Sequence, residues 1–468
     1  RIQREDGTFD LLTTNFYSSP DNGFIMHNLA RTWRLLEAAE ATACPDCAKI
    51  KERLYKLIER TAAGMIRGGF HTPNHRWVIA AALALSHNIT GKAELKTVAD
   101  QYLAEGIDCD EDGEYTERSS GIYNAVNDNA LIILAEELER PELLVPVVRN
   151  LEMMFTYFEP DGSVFTWNST RQDNASDQSN RVFPIAYYHI YLMMLRKTGD
   201  PRYAWMAESI FKKTGSGEPP SALWLYMTDP DLQTLVTPAE SPATDYEKLF
   251  VNSGIARIRK GDLGITLMEN SSSFLFLSTP ALNLRMKMCA SFFGKAQVIP
   301  QHLRRVGEGY QLVFKTTGDY RLPLDPPPET SDWRSMDHSR REHVRVLDLE
   351  VMVEVLPLSD GVEIEIETEG CERVPVKLEF VLDDGCLVFG ESFVIQGNPG
   401  QGITATSGTV TARKGDSAFD IGPAFGLHHY TETMRGSEPP SRNGFTLYFT
   451  DSSPLRRRVK IRKTGQSA

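Results

Sequence analysis

The sequence contains no run of about 18 uncharged apolar residues, so no bilayer-spanning helix is expected. Cysteine is scarce, six in 468 residues, which excludes a small disulfide-stapled scaffold. Only Cys44-Pro-Asp-Cys47 has paired spacing. A zinc ribbon needs a second such pair, so a local disulfide or two free thiols is expected there, with no metal and no cofactor. Positive charge is also short: 50 Lys and Arg stand against 63 Asp and Glu, a formal net charge of −13. Nucleic-acid and anionic-membrane binders draw affinity from Lys and Arg, so neither partner is expected. The chain opens Arg1-Ile2-Gln3 without a methionine, as a processed protein does, and a secreted or periplasmic location is expected.

What is present is apolar content of 41%, enough for real cores, in a length that suits two or three domains. Apolar residues recur at helical spacing up to about residue 215 and alternate after about 245. The spacing predicts helices near 24–41, 49–66, 74–88, 94–105, 122–139, 142–158, 183–198 and 201–213. Leu347 to Val355, Val362 to Glu367 and Phe445 to Phe449 read as antiparallel strands with one wet face. The Pro-, Ser- and Thr-rich stretch between them reads as a connector.

Within the helical part, short loops join helices in pairs, and longer polar loops join one pair to the next. The helices opened by the long loops start near 24, 74, 123 and 183. That spacing is a repeat of helical hairpins, the pattern of an (α/α) toroid or solenoid. The expected fold is therefore multidomain α+β: an N-terminal incomplete (α/α) toroid over residues 1–215, a linker over 216–245, and a C-terminal antiparallel β-sandwich over 246–468. In such an array the starts of alternate helices converge at one end.

The residues at those starts are polar and capable of catalysis. Asn74, His75, Arg76 and Trp77 open one helix, and Tyr123 opens another behind Glu117 and Arg118. Arg171 and Arg181 lie in the next long loop, followed by Tyr188 and His189. Each has an ordinary structural explanation as a cap, a core aromatic or a buried histidine. Their joint occurrence at one end favours a site.

The run from Asp112-Gly113 through Glu117-Arg118-Ser119 to Tyr123 resembles a stretch of the heparinase II/III-like and alginate lyases that ends on a catalytic tyrosine. Asn74-His75 is similar to an Asn-His pair that opens an inner helix in those enzymes. The resemblance implies a helical toroid followed by an antiparallel β-sandwich, and a polysaccharide lyase acting on an anionic polysaccharide. The region Asn283 to Gly294 departs from those families in carrying no histidine.

Eliminating a 4-linked uronide requires neutralising the C6 carboxylate, removing the C5 proton and protonating the departing O4. Asn74, with Arg118, Arg171 or Arg181 as cation, suits the first task, since donors that tighten on the developing enolate stabilise the transition state. His75 or Tyr123 is the expected base, and Tyr123 the acid. Glu117, Tyr188, His189 and Trp77 are expected to contact substrate, and His429, in Leu427-His428-His429-Tyr430, to do so from the β domain. Adjacent histidines in a strand face opposite ways, so at most one of that pair serves. Two other readings remain open: a glycoside hydrolase using two of Asp112, Glu117, Asp161 and Asp173, and a non-catalytic carbohydrate-binding protein.

Overall fold

The structure is a computed structural model that describes residues 3–38, 45–68, 72–174, 182–183, 185–214, 223–233 and 239–465. Cys44 and Arg181 lie outside the described residues. The chain divides into two compact units: a helical one up to Pro242, and a β one from Ala243 onward in which Glu159–Asp161 are also counted.

Among the described residues the helical unit contains α1 (Ser19–Ala38), α2 (Pro45–Met65), α3 (Pro73–Thr90), α4 (Ala93–Ala104), α5 (Tyr123–Glu137), α6 (Leu144–Tyr157), α7 (Tyr187–Thr198), α8 (Pro201–Thr214) and α9 (Leu223–Thr228). α1, α3, α5 and α7 pack in succession, and α2, α4, α6 and α8 each fold back on the helix before them. Composition sorts the two layers. Every residue of α3 from Trp77 to Ser86 is buried, whereas α4 buries only Leu95 and Ala99. A helix apolar on all sides belongs inside, and a one-striped helix outside.

Local chemistry sets the ends of these helices. α3 starts on Pro73, whose missing N–H costs nothing in the first turn. It stops at Gly91, φ 74°, whose N–H donates to the His87 carbonyl at 2.7 Å. α7 stops the same way at Gly199, φ 72°, on the Leu195 carbonyl.

The segment read as a connector contains α9, too short for its period to show in the sequence. It lies between α7 and α1. Tyr188 of α7 and Tyr226 of α9 are bonded through their hydroxyls, and Trp224 of α9 meets His189 of α7 edge-on at 6.4 Å. The Arg31 guanidinium of α1 sits 3.6 Å over the Trp224 ring and donates to Asn129 of α5.

The β unit stacks two sheets. The first runs in the order Asp245–Phe250, Ile255–Lys260, Leu263–Met268, Ser273–Ser278, Asn283–Ala290, Pro375–Asp383, Gly444–Ser452 and Gly402–Thr404, antiparallel except for the last pair. The second has nine strands, with Gly309–Arg321, His343–Leu358, Gly361–Gly370 and Arg456–Thr464 among them. Both contribute apolar side chains to one core, Phe380, Leu447 and Phe449 from the first and Val353, Ile364 and Ile461 from the second. Strand Gly361–Gly370 alternates as a half-buried strand must: Val362, Ile364 and Ile366 face the core, while Glu363 and Glu365 pair with Arg456, Arg458 and Lys460 of the neighbouring strand. Strand Gly444–Ser452 departs from its expected wet face. It is buried at all but its last residue, because loop residues 425–428 cover it, Phe425 meeting Phe449 at 5.4 Å and Leu427 N–H donating to the Thr450 carbonyl.

Candidate active site

The loop before α5 is held by its own carboxylates and one glycine. Asp110 Oδ1 accepts from the N–H groups of Asp112 and Glu114. Gly113 turns with φ 93°, and a Cβ there would fall 2.2 Å from the Arg149 carbonyl oxygen, so the residue must be glycine. Arg118 takes φ 50°, a left-handed conformation costly for a residue with a side chain and frequent at functional sites. Asp173, buried in the next long loop, then ties the two loops together. It accepts from Ser119 Oγ at 2.8 Å, from Gly121 N–H at 2.8 Å and from Ser169 Oγ. Ser119 Oγ in turn accepts from the Tyr123 N–H at 3.0 Å, which fixes the first turn of α5.

Four of the expected residues come together on this frame. Asn74 Nδ2, fully buried at the start of α3, donates to both Glu117 carboxylate oxygens at 2.9 and 2.8 Å. Asn74 Oδ1 is buried with no hydrogen-bond partner among the described residues. Arg171 Nε lies 3.4 Å from Glu117 Oε1, and the Arg171 guanidinium sits 4.7 Å over the Tyr123 ring. The Thr170 N–H and hydroxyl both donate to the Glu117 carbonyl, so the Glu117 backbone is held as well as its side chain. Burial pushes the Glu117 carboxyl above its ordinary range, while Asn74 and Arg171 pull it back. The outcome is a contiguous chain of contacts, Asn74 to Glu117 to Arg171 to Tyr123, in which a half-buried phenol and a cation face each other.

The other expected residues stand differently. His75 is half-buried and meets Phe24 edge-on at 6.4 Å. Trp77, expected to contact substrate, is instead fully buried against Tyr115, since α3 is interior on every side. Tyr188 and His189, also expected to bind substrate, serve instead as the joint between α7 and α9. Burial, followed by the Arg31 charge, pushes His189 down to about 3 and keeps it neutral. Arg76 is paired with Asp108 at 3.1 Å and approaches Glu105. His428 and His429 lie in a loop rather than a strand, yet they do divide: the His428 ring nitrogen is shared between the Val376 and Asp451 carbonyls, while His429 is exposed and lines a cavity of about 560 Å³ in the β unit with Tyr430 and Glu432.

The sequence reading offered Asp173 only as a hydrolase carboxylate and missed its role as the pin of Ser119. Asn124, which opens α5 beside Tyr123, and Asn127, to which no role was given, are both 0% exposed, and their amides have no hydrogen-bond partner among the described residues. The signal was there. Asn124, Asn127 and Asp128 put polar groups three and four residues apart on a helix otherwise built of Ala, Ile and Leu.

No protein-family model matches the sequence, and no curated protein matches it. Solved structures do. The chain is similar to a heparan sulfate lyase from Pedobacter heparinus, with 10% identity and a TM-score of 0.53 over 90% of this chain and 65% of that one. It is similar to a Paenibacillus xanthan lyase, with 10% identity and a TM-score of 0.55 over 88% and 46%. It is also similar to a Streptomyces coelicolor A3 chondroitin AC lyase, solved in complex with chondroitin sulphate, with 13% identity and a TM-score of 0.51 over 93% and 67%. The fold is that of the toroid-and-sandwich polysaccharide lyases. The chain spans about two thirds or less of these lyases, and identities this low establish the fold without choosing one family within it.

Proposed function

We propose that the chain is a polysaccharide lyase that cleaves a 4-linked uronic-acid-containing polymer by β-elimination at the Asn74, Glu117, Arg171 and Tyr123 cluster. The observation that carries this reading is the contact chain itself. It sets a phenol beside a cation and ties that cation through Glu117 to the buried Asn74 amide. The Arg171 guanidinium, whose Nε has no hydrogen-bond partner among the described residues, is the donor for the C6 carboxylate and strengthens its hold as the C5 carbanion delocalises into an enolate, while Asn74 fixes the Glu117 carboxylate behind it. Tyr123 or His75 takes the C5 proton. The electron pair left behind forms the C4=C5 double bond as the C4–O4 bond breaks, and Tyr123 delivers a proton to O4.

Two of the four carboxylates that a hydrolase could draw on are otherwise engaged. Asp173 is held by three donors, and Glu117 by Asn74 and Arg171. A panel of alginate, glucuronan and glycosaminoglycans separates the two chemistries. A lyase produces a conjugated double bond that absorbs in the ultraviolet; a hydrolase produces reducing ends without that absorbance, and such a result would overturn the reading.

A further inference from the structure

We propose that the cavity in the β unit is a binding site for a neutral sugar, one that carries neither carboxylate nor sulfate. The inference rests on the carbohydrate partner of the reading above and not on its elimination chemistry. One wall of the cavity is an irregular loop that the fold holds in a single path. The His428 ring fixes its start. Nε2 donates to the Val376 and Asp451 carbonyls, both at 3.0 Å, which leaves Nδ1 to accept from the Tyr430 N–H at 3.2 Å. The Tyr430 ring lies against the His428 ring, with centroids 5.1 Å apart. Thr431 N–H donates to the His429 carbonyl at 2.9 Å and closes the next turn. Buried Lys377, paired with Glu379, then donates to the Thr431 and Glu432 carbonyls at 3.2 and 3.1 Å. Met434 anchors the far end in a small apolar cluster with Cys289 and Ala296. A buried ion pair is seldom more stable than apolar residues of the same volume. Here it sets the path of a loop.

The loop is thus pinned largely through its backbone, and its side chains stay in the open. Tyr430 is 65% exposed, and His429 and Glu432 are exposed as well. With Ser291 and Thr431 they line the cavity of about 560 Å³, a size within the range of about 300–1,000 Å³ usual for small-molecule sites. A wall held this way needs no ordering when a ligand arrives. The lining selects the ligand by class. The Tyr430 ring offers a flat apolar surface to the C–H face of a pyranose and a polar edge to its hydroxyls. The Glu432 carboxylate can accept two neighbouring hydroxyls in charge-assisted bonds. Among the described residues that line the cavity there is no Lys or Arg, and Arg435, next along the chain, is not one of them. A uronate or a sulfate placed there would face Glu432 without a counter-charge, which rejects it.

The test uses the full chain with tetrasaccharides matched in backbone: cellotetraose against a glucuronan tetramer, and β-1,4-linked mannotetraose against a mannuronate tetramer from alginate, with xylotetraose as a further neutral probe. Dissociation constants are measured by titration calorimetry in the Tyr123→Phe background, so that no uronate is consumed. At least one neutral tetrasaccharide should bind, and Tyr430→Ala should weaken it at least about tenfold. Glu432→Gln should weaken it about fivefold, as a neutral acceptor replaces a charged one. The uronate tetramers should bind equally well with and without the Tyr430 ring. The proposal is overturned if no neutral tetrasaccharide binds, if both variants leave its affinity unchanged, or if Tyr430→Ala weakens a uronate tetramer as much as a neutral one. Ultraviolet rates on polyuronides with the unmodified chain decide the lyase reading separately, and their failure would leave these titrations as the measure of this site.

Discussion

In the β unit the buried Lys377 ammonium pairs with Glu379 at 2.8 Å and donates to the Thr431 and Glu432 carbonyls, while in the helical unit Asn124 and Asn127, equally buried, have no partner for either end of their amides. Asn22 Nδ2, Asn74 Oδ1, Trp77 Nε1, Asp128 Oδ2 and Tyr191 OH share that condition, all in the helical unit. A buried polar atom left unpaired costs about 1–3 kcal/mol. Among the described residues most such atoms lie in the helical unit and only two in the β unit. Their concentration in the helical unit is the pattern expected of a part that carries a site, and accords with the role proposed for the Tyr123 cluster.

The largest effect that would break this contrast lies in the β unit. Glu379→Ala leaves the Lys377 charge buried and uncompensated, and should cost about 3–5 kcal/mol in urea unfolding followed at the strands. A loss under 1 kcal/mol would mean that this pairing contributes little. In the helical unit, Glu117→Gln should lower kcat/KM about 100-fold, because Asn74 and Arg171 lose the anion that orients them. Burial raises the folded pKa of Glu117, so its ionised form weighs against folding above that pKa. The thermal midpoint of the Gln variant at neutral pH should therefore be unchanged or higher, and a marked fall would assign Glu117 to stability instead.

Acid should act on the helical unit through His27. Burial, then the Arg31 charge, pushes this histidine down to about 3, so it is neutral in the fold and protonated in the unfolded chain below its ordinary value. Its contribution is fully present above about pH 6.5 and is lost as pH falls, by up to about 1.4 kcal/mol per unit. Helical circular dichroism should show that slope, and His27→Leu should flatten it. The smallest effect is that of Asn127→Leu. Removing an unpaired amide should change stability by less than about 1 kcal/mol or increase it; a loss of several kcal/mol would show that the amide is satisfied in solution.

Elements with a long hydrophobic period were legible from sequence: the eight main helices, the hairpin repeat and the alternating strands. α9 was not, because six residues carry no readable period and its placement depends on Trp224 finding Arg31 and His189. At the site, Asn74, Glu117 and Tyr123 were legible because a short motif and a helix start bring them forward. Tyr188, His189 and Trp77 were misassigned because polarity at a helix start does not reveal which way the side chain turns. Trp77 faces inward on a helix with no outer side. The Asp173 pin depends on a contact between residues 119 and 173, a separation that no local pattern encodes.

The central claim is that the Tyr123 phenol moves a proton in an elimination. Its most direct test is the initial rate of ultraviolet absorbance with Tyr123→Phe, on the polymer the unmodified chain cleaves, alongside the dissociation constant for that polymer. The account predicts a rate loss of about 10²–10⁴-fold with affinity retained. A near-normal rate from the phenylalanine variant would contradict it.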